Sequence, residues 1–102
     1  MKVNICGIPH EVIDVDYIES DNGRCVGQIT YEECSIKMRK GINSDYYRQT
    51  LIHEMMHGIL SMIGRNDLTS DETFVQSLAL AISQSFDIKE VIEVLEEVKD
   101  NV

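Results

Sequence analysis

His53, Glu54 and His57 stand in the run His53-Glu54-Met55-Met56-His57, two imidazoles four positions apart with a carboxylate directly after the first. On an α-helix this spacing projects both histidines from successive turns, about 6 Å apart along the axis, so the two rings can converge on one cation. Zinc accepts imidazole nitrogen, and a catalytic zinc site holds three protein ligands and keeps a further position for water. Glu54 would point beside such an ion, where a carboxylate can take a proton from the water and pass it to a leaving amine. The motif therefore implies metal-assisted hydrolysis, with His53 and His57 as ligands and Glu54 as general base.

The rest of the helix agrees with a cleft. At about 100° per residue, Thr50, His53, Glu54, His57, Gly58 and Ser61 share one sector, and Leu51, Ile52, Met55, Met56, Ile59, Leu60, Met62 and Ile63 fill the opposite arc. A solvent-facing strip normally carries long charged side chains. From Leu51 to Ile63 only Glu54 does so. A strip of small residues around two histidines is expected to form a cleft floor.

Two histidines require a third ligand. A histidine six positions beyond His57 is ruled out, because Ile63 stands there and Leu60 replaces the glycine of that pattern. His10 could serve only if the first hairpin folded over the site. The following helix offers carboxylates: Glu72, with Gln76, sits at the edge of the apolar arc formed by Phe74, Val75, Leu78, Ala79, Ala81, Ile82 and Phe86. Asp71 has a less suitable direction and shorter reach, and Asp67 lies in the loop. Against a ligand role, Thr69-Ser70-Asp71-Glu72 is also a capping-box pattern, which needs no metal.

Elements that must position these residues can be read from the periodicity. Lys2 to Ile5 and Ile8 to Val15 are strands rich in Val and Ile with a tight turn at Cys6-Gly7. Pro9 points to an edge or an irregular start for the second strand. After the turn signal Asp21-Asn22-Gly23, the runs Cys25 to Tyr31 and Cys34 to Lys40 alternate as a second hairpin around Glu32-Glu33. The active-site helix is expected from Asp45 to Ile63, with Ser44 as N-cap and Gly64 as the stop. Asn66-Asp67 reads as a loop, Ser70 to Ser85 as a second helix, and Ile88 to Lys99, capped by Asp87, as a third. The order ββββ-ααα over residues 1–102 makes one α+β domain.

Composition excludes several partners. With 43% apolar and 26% charged residues the chain fits an ordinary globular protein, and its apolar runs are too short to span a bilayer. A formal charge of −9 with scattered basic residues argues against nucleic acid and anionic membranes. Three cysteines without CxxC spacing indicate neither a disulfide framework nor a thiolate zinc site. Met1 to Ile5 lacks the features of a signal peptide, so a cytoplasmic location is expected. The expected partner is a protein or peptide.

From about Cys25 to Phe86 the chain resembles a short member of the ImmA/IrrE-type metallopeptidases, a gluzincin-like family frequent in phages and mobile elements. The resemblance is carried by Gln28-Ile29-Thr30-Tyr31, by Thr50-Leu51-Ile52-His53-Glu54-Met55-Met56-His57, and by Glu72-Thr73-Phe74-Val75-Gln76-Ser77-Leu78-Ala79. It implies a zincin-like fold, a small antiparallel sheet from the two hairpins packed on the active-site helix, the glutamate helix and a C-terminal helix. It also implies Zn2+ held by His53, His57 and Glu72, with Glu54 as base, and cleavage of an intracellular regulator. The helix that usually precedes the sheet in that family has no counterpart here.

Substrate is expected to add as a strand along the edge of the Cys34 to Lys40 run. Tyr46, Tyr47 and Arg65 are candidate donors for the transition state. The alternative function is a catalytically silent, zinc-containing protein-binding module, in which Glu54 has no task. A further alternative places the terminal helix or an N-terminal strand in the cleft as an inhibitor.

Overall fold

The computed structural model describes residues 1–20 and 23–86, with the side chains of Ser20, Gly23 and Arg24 outside that description. The expected helix Ile88 to Lys99, most of the Asp21-Asn22-Gly23 turn and the inhibitory role of a terminal helix lie outside the described residues.

The first hairpin forms as the sequence predicts. Strands β1 (Lys2–Ile5) and β2 (Ile8–Val15) pair antiparallel, with Ile5 opposite Ile8. Cys6 and Gly7 between them both take positive φ, 49° and 81°. Left-handed backbone at both central residues is what a two-residue hairpin turn requires to match strand twist. A short ribbon follows, β3 (Glu19–Ser20) with β4 (Gly23–Arg24). Strands β5 (Gly27–Thr30) and β6 (Ser35–Arg39) then make the second hairpin.

The two hairpins do not make an all-antiparallel sheet. The strand order is β1-β2-β6-β5, and β2 and β6 run parallel, Glu11 opposite Ser35 through Val15 opposite Arg39. The sheet is mixed because the chain crosses from the end of β2 through the β3–β4 ribbon and enters β5 at the far edge. The return strand β6 then falls between β5 and β2. Two expectations change with this order. β6 is an inner strand, so the edges are β1 and β5 and no peptide can add along β6. β2 is inner as well, and Pro9 is accommodated because pairing with β6 begins only at Glu11.

Helix α1 (Ser44–Met62) begins one residue earlier than expected. Asn43, not Ser44, is the N-cap: its Oδ1 accepts from the backbone N–H groups of Asp45 and Tyr46. The other end stops where Gly64 predicts. Gly64 at φ 81° donates to the Ser61 carbonyl and Arg65 donates to that of Leu60, a Schellman closure. Asn66-Asp67, expected as loop, instead opens a single turn of helix, α2 (Asn66–Thr69). Helix α3 (Glu72–Ser85) follows directly.

α1 is the middle layer. One apolar side packs on the sheet against Ile5, Val12, Ile36 and Met38. Another side, Ile52, Met56 and Leu60, packs on Val75 and Ala79 of α3, and Met55 and Ile59 touch both clusters. Gly58, grouped with the polar strip on the helical wheel, faces the sheet instead: a Cβ there would stand 2.9 Å from Ile5 Cδ1 and 3.0 Å from Ile29 Cδ1. Phe74 and Phe86 of the expected apolar arc are exposed. Among the described residues no helix is long and apolar enough to cross a membrane.

Candidate metal centre

Helices α1 and α3 bring His53, His57 and Glu72 to one point. His53 Nε2 lies 3.0 Å from Glu72 Oε2, His57 Nε2 lies 2.9 Å from Glu72 Oε1, and the two Nε2 atoms are 3.2 Å apart. The rings meet edge to face, with centroids 4.9 Å apart. The histidine side chains are only 16% and 11% exposed, whereas Glu72 is 69% exposed. The imidazoles therefore form the inner wall, and the carboxylate closes the cluster from the solvent side.

Glu72 reaches this position because it is the first residue of α3. Asp71 is the N-cap, its Oδ1 accepting from the Phe74 N–H at 3.0 Å. A capping box needs the glutamate three residues after the cap. Glu72 follows its cap immediately, so the capping-box alternative does not apply, and its carboxylate is free to meet the histidines.

The donor set fits a divalent cation. His53 Nδ1 is 2.7 Å from Gln76 Oε1, an acceptor, which puts the proton on Nδ1 and leaves a lone pair on Nε2. His57 Nδ1 is 2.9 Å from Thr69 Oγ1. Two imidazole nitrogens and two carboxylate oxygens then face one another, an arrangement that either a ring proton shared with Glu72 or a bound cation would satisfy. Ligand atoms about 2.0–2.1 Å from a common tetrahedral ion stand about 3.3 Å from one another. The observed separations are close to that, and the three residues offer ligand atoms within 4.8 Å of one another. This group could therefore hold a metal ion.

Glu54 lies beside His53 in a cleft of about 400 Å³ lined also by Cys25, Val26, Gly27, Tyr46, Gln49, Thr50 and Gln76. Its Oε2 accepts the backbone N–H of Ile29 in β5 at 3.1 Å. Burial pushes its carboxyl up to about 7; His53 and the Ile29 N–H oppose that shift, and Glu72 adds to it. A carboxyl near neutrality can exchange a proton in either direction. His57 is displaced downward, chiefly by burial, with Glu72 opposing.

Other candidates are elsewhere. His10 is 3% exposed, with Nδ1 on the Ile8 carbonyl, and is not in the cluster. It lines a smaller cavity with Gly58 and Ser61, so the polar strip of α1 divides between two places. Tyr47 donates to Asp14 Oδ1, and Arg65 is forked onto Asp67. Of the three proposed donors only Tyr46 lines the cleft. The cysteines are free, and none joins the cluster.

Two residues acquire partners that the sequence reading did not assign. In the sequence Gln76 stands at the edge of its helix's apolar arc with no role of its own, and Thr69 belongs only to a capping pattern. The available signal for Gln76 is its spacing of four from Glu72 on the same helix; Thr69 lies on a separate helical turn and carries no such signal. The chain matches no protein-family model, and comparison with curated proteins and with solved structures finds no similar one.

Proposed function

We propose that the chain is a zinc-dependent peptidase of zincin-like architecture acting inside the cell on a protein substrate. The observation that carries this reading is the meeting of His53, His57 and Glu72 next to a half-buried carboxylate, Glu54, in an open cleft. His53 and His57 would hold the ion through Nε2 and Glu72 through its carboxylate; zinc accepts this donor set, and the adjoining Glu54 supplies the base that zinc hydrolysis needs. When bound, zinc lowers the pKa of water to about 7 and polarises a carbonyl.

The remaining chemistry belongs to the chain. Glu54 would take the proton of the attacking water and return it to the leaving amine, a role that its place beside His53 in the cleft allows. The Ile29 N–H holds that carboxylate on the β5 side of the cleft. As an edge strand beside the cleft, β5 is where an extended peptide would add. Tyr46, which lines the cleft, is the candidate donor toward developing negative charge. Support for the ImmA/IrrE-type family is the motif residues themselves.

Metal analysis of the purified chain tests this. The expected result is about one zinc per chain, lost or much weakened in His53→Ala and in Glu72→Ala. Glu54→Gln should retain zinc and abolish peptide cleavage. Undiminished cleavage by that variant would remove Glu54 from the base role. The silent binding module is the second reading, and the Ile29 bond that already occupies Glu54 Oε2 favours it; zinc uptake without any peptide cleavage by the wild type would decide for it.

A further inference from the structure

The short helix α2 has no counterpart in the sequence-based plan, contributes no metal ligand, and yet touches the cluster. Its last residue, Thr69, stands 2.9 Å from His57 Nδ1 through Oγ1. The same oxygen donates to the backbone carbonyl of His57 at 3.3 Å. A threonine hydroxyl has one proton and two lone pairs. With the proton directed to the carbonyl, Oγ1 can only accept from the ring, so the ring proton sits on Nδ1 and the lone pair on Nε2. Nε2 is the atom that faces Glu72 Oε1 at 2.9 Å and His53 Nε2 at 3.2 Å.

We propose that Thr69 is the positioning residue for His57, selecting the imidazole tautomer and ring direction that present Nε2 to the cation. The assignment rests on the metal reading above. Gln76 stands in the same relation to His53, at 2.7 Å from Nδ1, but the two anchors come from different elements. α2 is held locally: Ser70 Oγ donates to the Asn66 carbonyl, and Leu68 packs on the α1–α3 core. Its position between the C-terminus of α1 and the cap of α3 ties the anchor of one ligand to the start of the helix that carries another. A partner holding the second ring nitrogen of a ligating histidine typically changes metal affinity by about 10–100-fold.

The test uses Zn2+ alone, competed against a chromophoric chelator, with the full chain and with Thr69→Val, Thr69→Ala and Thr69→Ser. Valine keeps the branched shape and lacks the hydroxyl. Thr69→Val and Thr69→Ala are expected to lose about 10–100-fold in zinc affinity, and Thr69→Ser to stay within about threefold of wild type. A second readout separates positioning from general loosening. In zinc-loaded protein, proton NMR should show slowly exchanging Nδ1–H signals for both histidines. Thr69→Val should lose the His57 signal and keep that of His53, which Gln76 holds. A Thr69→Val chain that binds zinc as tightly as wild type, or retains the His57 signal, overturns the assignment alone. A wild-type chain that takes up no zinc overturns the metal reading and the assignment with it.

Discussion

Glu54 Oε2 accepts the Ile29 backbone N–H at 3.1 Å, so the edge strand β5 and the central helix α1 are joined at the acidic residue that lines the cleft. The bond gives the carboxylate a partner that burial would otherwise deny it. It also sets the side of the cleft on which that carboxylate works.

The first expected outcome concerns pH in the metal-free chain. Glu54 titrates near 4.5 unfolded and at about 7 folded, so the native state holds the proton more tightly. Its contribution to stability is fully present below about pH 4.5 and is lost as pH rises through 7. The loss should be about 1–3 kcal/mol. Urea unfolding across that window should show the decline in wild type and a flatter profile in Glu54→Gln. Parallel profiles would mean that the buried charge has no such cost.

Metal should stabilise the fold as well as equip it. Zinc at about 100-fold excess over its Kd adds about 2.7 kcal/mol, and in a domain of this size that raises Tm by about 10 °C or more. Chelation should reverse the gain, and His57→Ala should show none. A melting temperature indifferent to zinc in the wild type would contradict the cluster's role.

The seam between β5 and α1 should be intolerant of added volume. A Cβ on Gly27 would stand 2.7 Å from Thr50 Cγ2 and 3.3 Å from Glu54 Cγ. Gly27→Ala is expected to destabilise by about 1–3 kcal/mol. Adding Thr50→Ser removes the nearest methyl and should recover part of that loss. Strictly additive effects in the double variant would place the clash elsewhere.

Arg48 should matter for α3 although it lies on α1. Its Nη2 donates to the carbonyls of Ser83, at 3.1 Å, and of Phe86, at 2.6 Å, closing the C-terminus of the neighbouring helix. Arg48→Met keeps the apolar stem and removes the donors, so a loss of about 1–2 kcal/mol is expected in thermal or urea unfolding. An unchanged stability would show that water serves those carbonyls equally well.

Local features were legible because their causes are local. The four-residue spacing of His53 and His57, the Cys6-Gly7 turn, the stop at Gly64 and the alternation of Ile36 and Met38 all depend on neighbours within a few positions. Glu72 was reached from its place on the wheel, with a cap as the rival explanation. That rivalry could not be resolved from residue types, since the cap falls on Asp71 only once the backbone turns there.

What tertiary structure decided is what depends on distant chain meeting. The parallel β2–β6 pairing follows from the path between them, and residue types in either strand are equally compatible with antiparallel partners. It made β5 the edge along the cleft and took that place from β6. Sequence alone could set two imidazoles on one helical face. That Thr69 and Gln76 would take their Nδ1 atoms, and Ile29 the neighbouring carboxylate, required three helices and a sheet edge to arrive together, because hydrogen bonds to a side chain are satisfied by whatever the fold brings within about 3 Å.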